Sequence, residues 1–244
     1  MMRLDKLLSE CGYGTRSEIK RRIRKEGCTV NGRAVNKPEE KVDPEKDEIC
    51  FSGEAISYKA HIYLLMHKPG GVITATRDSR KETVMDLLPR QRQKGLFPVG
   101  RLDKDTEGLL LITNDGYLSH KLLSPKGHVP KTYYAEISGT LLPDAKEQFA
   151  LGMDIGDEKP TLPGTLEVLE TGLDEGKVRV TISEGRYHQV KRMIEKCGGH
   201  VEYLKRISFG PLVLPEDLPI GQYRALTKEE VAALSVYRKD SDVK

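Results

Sequence analysis

The sequence predicts an α+β protein in two parts: a small basic head, then a domain built on a mixed, mostly antiparallel sheet. Three observations carry this. Residues 1–37 hold ten Lys or Arg against four Asp or Glu, whereas the other 207 residues hold 30 against 33. The head shows apolar residues at helical spacing. From His61 onward, strand-like runs far outnumber helical patterns and follow no regular βαβ alternation. The expected boundaries are 1–58 for the head and its linker, 59–237 for the second domain and 238–244 for a flexible tail.

In the head, Leu4, Leu7, Leu8 and Cys11 form one helical stripe, and the following Gly-Tyr-Gly breaks it. "TRSE" reads as a capping box in which Thr15 caps a second helix and Glu18 reaches back. That helix, over about residues 16–26, buries Ile19 and Ile23 and turns Lys20, Arg21, Arg24 and Lys25 to the opposite face. These four have no acid among them. Like charges packed this way are costly unless an anion is expected, so the face predicts phosphate contact. "CTVNGRAV" reads as two short strands joined by an Asn31-Gly32 turn. Lys37 to Glu54, rich in Pro, Asp, Glu and Gly, reads as the end of this module and a linker.

In the second part, "HIYLLMHKPGGVITA" predicts a strand, a turn and a second strand. Further strands are expected at "LFPVGRL", "GLLLITN", "KTYYAEISG", "GTLEVLE", "KVRVTISEG" and "HVEYLKRISFG". Helices are expected at "DGYLSHKLL", "LPDAKEQFALG" and "RYHQVKRMIEKCG". Leu109, Leu110, Leu111 and Ile112 lack alternation, which predicts a strand buried on both faces. Gly100 allows a sharp turn before it, leaving "RLDKDT" as a loop on a rigid sheet, where reactive groups are commonly held. Of the acids around this strand, Asp115 reads as a helix cap and Asp105 and Glu107 as solvated loop acids, so Asp103 is the leading catalytic candidate. On residues alone the choice among the four stays open.

Several functions are disfavoured. The four cysteines form no close pair and the six histidines show no ligand spacing, so neither a metal site nor a redox motif is expected. No glycine-rich nucleotide fingerprint occurs, and no nucleotide or other cofactor is expected. No apolar run approaches the ~20 residues of a membrane span. A cytoplasmic monomer without a secretory signal is the expectation.

The motifs add a resemblance. "GRLDKDTEGLLLITNDG" (100–116) closely resembles the signature of pseudouridine synthases of the RsuA branch, with "VPKTYYAEISG" (129–139) and "ISEGRYHQVKRM" (182–193) similar to the second and third family motifs. "LLMHKPGGVITA" resembles the family's Lys-Pro-x-Gly entry to the domain. The head, through "TRSEIKRRIRKEG" and the "VNG" turn, resembles the S4 RNA-binding domain. The resemblance implies an enzyme that detaches uracil from ribose at nitrogen and reattaches it through carbon, without redox cofactor or ATP. It implies Asp103 as nucleophile or base, Lys191 as the cation that pairs with it, and Tyr133 as the aromatic placed against uracil. Arg101, Arg186 and His188 are expected at the substrate. RNA contact is expected of Lys6, Arg16, Lys20, Arg21, Arg24, Lys25, Asn31 and Arg33. The implied substrate is 16S ribosomal RNA, at the uridine numbered 516 in the family, in an assembling small-subunit particle. A 23S rRNA enzyme of the same superfamily and a non-catalytic ribosome-assembly factor are the alternatives.

Overall fold

A computed structural model describes all residues except 12, 45, 57–60, 94, 125–126, 173 and 239–244. The expected boundary at 58/59 and nearly all of the expected tail lie outside the described residues. The chain forms two compact units, Met1–His61 and Ile62–Lys244.

The first unit runs β1 (Met2–Arg3), α1 (Leu4–Glu10), α2 (Arg16–Glu26), β2 (Cys28–Val30), β3 (Arg33–Ala34), β4 (Lys41–Val42), β5 (Ile49–Phe51) and β6 (Glu54–Ala55). The capping box forms as the sequence predicts. The Thr15 amide donates to Glu18 Oε2 at 2.8 Å and the Glu18 amide to Thr15 Oγ1 at 3.3 Å. Leu4, Leu7, Leu8, Ile19 and Ile23 are completely buried and pack with Val42, Ile49 and Phe51. The last three correct the linker reading of residues 37–54. Ile49 and Phe51 alternate inward and pair antiparallel with Val30 and Cys28, so this stretch completes the head's own sheet, ordered β3-β2-β5-β6. Three short apolar islands in a polar stretch suffice, because each strand needs only one or two inward side chains.

The second unit runs β7 (Tyr63–Lys68), α3 (Arg90–Gln93), β8 (Phe97–Pro98), β9 (Glu107–Thr113), α4 (Gly116–Leu123), β10 (Lys131–Ser138), α5 (Ala145–Leu151), β11 (Thr165–Thr171), β12 (Glu175–Ile182), α6 (Gln189–Lys196), β13 (His200–Phe209), β14 (Leu212–Val213), β15 (Tyr223–Ala225) and α7 (Lys228–Leu234). Its sheet has the path β11-β12-β10-β13-β9-β7-β15. Every pairing on that path is antiparallel except β13 with β9, giving the mixed, mostly antiparallel sheet expected. β9 lies inside the sheet and is covered on both sides. Leu110 and Ile112 enter one apolar cluster with α5 and α6, while Leu109 and Leu111 enter another with α4 and α7.

The strand expected after the Pro-Gly-Gly turn is reduced to a bridge between Ile73 and Thr83. Thr74 instead exchanges two hydrogen bonds with the Leu102 backbone, at 2.8 and 3.1 Å, which ties this segment to a loop rather than a ladder. α6 begins later than its sequence pattern, at Gln189. His188 has a left-handed backbone (φ 49°) that cannot continue a right-handed helix.

Candidate active site

Residues 101–106 link Gly100 to β9. Gly100 has φ +74°, and a Cβ there would meet Leu123 Cδ2 at 2.9 Å. At the start of β9, Gly108 has φ +106°, and a Cβ would collide with the Arg206 backbone of β13. The parallel pairing of β9 with β13 beneath the loop therefore requires glycine at 108.

The loop is pinned from below. Lys68, at the end of β7, is completely buried, and its Nζ donates to the carbonyls of Pro69 (2.9 Å), Lys104 (3.2 Å) and Thr106 (2.8 Å). The Gly71 amide also donates to Lys104 O at 2.8 Å, and the Thr106 amide closes a turn on Asp103 O at 3.2 Å. Burial pulls the Lys68 ammonium down to about 8, against the opposing pull of Asp105, Glu107 and Asp103. One buried cation thus interacts with both acids of the loop and with Glu107 at the start of β9.

The Asp103 carboxylate is partly exposed and lies 3.7 Å from His188 Nε2. The structure does not pair Lys191 with Asp103. The Lys191 ammonium, on α6, closes on Asp105 at 2.8 and 2.6 Å. Asp103 and Asp105 are two residues apart on a tight turn, and the His188 ring takes the place beside Asp103, so the lysine meets the outer acid. Asp105 is accordingly no merely solvated acid. Burial pushes its carboxyl up, but the bonds from Lys191 outweigh this and hold it below its usual value. Glu107 is also engaged, accepting from Tyr203 Oη at 2.7 Å. Asp115 caps α4 as the sequence predicts, accepting from the Leu118 amide at 3.0 Å. Because the Asp105 side chain is 71% exposed, Asp105→Asn should lower stability by no more than ~1 kcal/mol, the scale of an exposed ion pair. Chemical denaturation checks this; a loss of several kcal/mol would mean the pair is a buried structural element.

Tyr133 points inward from β10 in the same cluster as Leu102 and Val190, the neighbours of Asp103 and Lys191. Tyr134 turns to the other side and donates to Glu136 at 2.9 Å. Arg101 is exposed. Arg186 is held by other partners: it pairs with Glu184 and Asp157 and donates to the Lys159 and Pro160 carbonyls. Together with Arg192, which binds Ile155 O and Asp157, it fastens residues 155–160 to the loop before α6. Its observed part is positioning.

Sequence reasoning missed Lys68 and two further buried cations. Lys131 on β10 donates to Val129 O at 2.8 Å and Arg206 on β13 to Leu109 O at 2.8 Å, and both lie over the Phe209 ring, at 5.5 and 4.9 Å. Burial, reinforced by Arg206, lowers Lys131 to about 8. Lys68 and Lys131 stand at the ends of their strands and Arg206 follows Lys205 in a strand of mixed polarity, so no local pattern marked them as buried. Among the described residues, no cluster of three or more His, Cys, Asp or Glu could hold a metal ion, and no helix is long and apolar enough to cross a membrane.

In the first unit, Lys20, Arg21, Arg24 and Lys25 are exposed on α2, as is Lys6 on α1. Arg16 is drawn to the fully buried Asp5, at 3.0 Å, which Arg3 also binds at 2.9 Å. Arg33 pairs with Glu40. The Asn31 side chain braces its turn, donating to Asp47 at 2.9 Å and accepting from the Glu48 amide at 2.8 Å.

Comparison with known proteins gives concordant results. The family described as RNA pseudouridylate synthase matches residues 62–196, and the S4 domain family matches residues 2–49. An uncharacterized RNA pseudouridine synthase of Bacillus subtilis, YtzG, is 44% identical over 235 residues, covering 96% of this chain and 98% of its own. Ribosomal small subunit pseudouridine synthase A of Escherichia coli K12 is 40% identical over 235 residues, covering 96% and 100%. A crystal structure of a pseudouridylate synthase superposes with a TM-score of 0.67 at 36% identity, covering 96% of this chain and all of the other.

Proposed function

The chain belongs to the RNA pseudouridylate synthase family, and from that premise we propose that it isomerises one uridine of 16S ribosomal RNA, with Asp103 as nucleophile or base. In this reaction the bond from ribose C1′ to uracil N1 breaks, a bond from C1′ to C5 forms, the C5 proton leaves to solvent and N1 takes up a proton in its place. Substrate and product are isomers, so neither redox equivalents nor ATP are consumed.

The single observation that carries the assignment is Asp103 itself: a partly exposed carboxylate on a loop pinned by a buried lysine, with His188 at 3.7 Å. The buried Lys68 ammonium beneath the loop supplies positive charge close to Asp103, while Lys191 is neutralised by its ion pair with Asp105. Tyr133 is assigned to the uracil ring and Lys191 to the electrostatics of the loop. The 16S substrate is inferred from the E. coli relative, whose name states the small ribosomal subunit. Release of tritium from ribosomal RNA labelled at uracil C5 tests the activity. Release should require Asp103, and its absence with intact small-subunit particles and rRNA fragments would overturn the proposal.

The head is assigned to holding RNA through Lys20, Arg21, Arg24 and Lys25. Changing all four to Ala should make the slope of log K against log salt shallower by up to about 3–4 units, at ~0.7–0.9 per phosphate. The single-turnover rate at saturating RNA should stay near wild type. Unchanged affinity and slope across a salt series would show that this face is merely solvated.

A further inference from the structure

Tyr187 is 76% exposed, which is unusual for so large a ring, yet it is not loosely placed. It stacks on the His188 imidazole, with centroids 3.9 Å apart and planes inclined by 16°. His188 in turn stands 3.7 Å from Asp103 and holds a left-handed backbone conformation. Such conformations in residues with side chains cost energy and collect at functional sites. The backbone carrying the two rings is fastened on both sides. Arg192 Nη1 donates to Tyr187 O at 2.9 Å, and the Arg186 amide donates to Gln189 Oε1 at 3.0 Å. Two aromatic rings thus lead from the candidate catalytic carboxylate outward to water in one stack, and packing in the core does not account for the outer one.

We propose that Tyr187 is a stacking platform for an unpaired nucleobase next to the target uridine in the RNA chain. The inference rests on the reading of Asp103 as the group that addresses that uridine. A uridine drawn out of its stack toward Asp103 leaves its neighbour without a partner, at a cost of a few kcal/mol. A rigid exposed ring beside the site offers that neighbour a new surface. Stacking of this kind is tolerant of base identity because every base has a π face. The platform therefore supplies affinity at the site without reading sequence there, and it acts separately from the cationic face of α2.

The test measures binding and single-turnover conversion of a synthetic 16S rRNA fragment spanning the proposed target uridine. It compares wild type, Tyr187→Phe and Tyr187→Ala on the intact fragment and on versions with one abasic nucleotide at each flanking position. Tyr187→Ala should weaken binding about 5- to 150-fold, the range of one base–aromatic stack. Tyr187→Phe should stay within about twofold, since the ring and not the hydroxyl is used. At one flanking position the abasic RNA should cost wild type the same factor and cost Tyr187→Ala nothing further. Wild-type affinity of Tyr187→Ala, or a loss that persists undiminished on every abasic RNA, overturns the platform. A loss reproduced in Tyr187→Phe also overturns it, pointing to a hydroxyl contact with phosphate. The binding arm separates the two readings: coupling to one base without any conversion upholds the platform and defeats the isomerase assignment, whereas conversion without coupling defeats the platform alone.

Discussion

Asp103→Asn is expected to abolish conversion of uridine, with a fall in single-turnover rate of more than about 10⁴-fold, the scale on which loss of a nucleophile acts. The substitution preserves size, exchanging one acceptor oxygen for an amide donor, and the Asp103 carboxylate is partly exposed, with the His188 ring only loosely placed against it at 3.7 Å. Melting temperature and RNA affinity should therefore stay near wild type. The measurement is turnover of the purified variant, with mass spectrometry excluding deamidation back to Asp. Substantial turnover would remove Asp103 from the chemistry. Asp105→Asn is the matched control: it changes the neighbouring carboxylate by the same chemistry and should leave turnover within about tenfold.

Lys68→Met should have the second-largest effect, and it should fall on stability and activity together. The change removes the donor shared by the Pro69, Lys104 and Thr106 carbonyls. Lys104 O keeps the Gly71 amide, so the penalty falls mainly on the other two. At ~1–3 kcal/mol for each unsatisfied acceptor, partly offset by relief of a buried charge, the loss is about 2–4 kcal/mol. Turnover should fall because the loop holding Asp103 loses its floor. The wild type should also show a pH signature that this variant lacks. The folded-state Lys68 titrates near 8, below the usual 10.5. Below pH 8 the ammonium is charged in both folded and unfolded chains, so the burial penalty is fully present. Between about pH 8 and 10.5 the unfolded chain binds more protons, and stability contributed by this group rises with pH. Wild type should thus gain on Lys68→Met across that window in denaturant titrations. A constant difference would mean that the lysine is not buried as a cation.

Much of the fold could be read from local pattern. The unbroken apolar run from Leu109 to Ile112 identifies a strand covered on both faces, because only such a strand has no wet side. The Thr15 and Glu18 capping box locates α2 for an equally local reason. The same signature at Thr227 and Glu230 caps α7, but it introduces a short helix with few large apolar residues and passed unread. β5 escaped because Ile49 and Phe51 stand alone among charged residues, and their partners lie some 20 residues earlier in the chain.

The candidate site was legible by residue and not by geometry. The motifs single out Asp103, Tyr133 and Lys191, but a pairing between loop and helix depends on side-chain direction. A loop has no periodicity from which to read that direction, hence the exchange of Asp103 for Asp105 as the partner of Lys191. Lys68 was hidden more deeply still. Its three acceptors are backbone carbonyls, two of them 36 and 38 residues away, and carbonyls carry no residue identity that a sequence could display. Arg186 shows the converse case, a motif arginine that its surroundings commit to holding residues 157–160.

The most direct test of the central claim is a map of pseudouridines in 16S and 23S ribosomal RNA from cells lacking this gene, complemented with wild type or with Asp103→Asn. One 16S pseudouridine should disappear on deletion, return with wild type and stay absent with Asp103→Asn, while the 23S pattern is unchanged. An intact 16S pattern on deletion, a lost 23S site instead, or rescue by Asp103→Asn would contradict it.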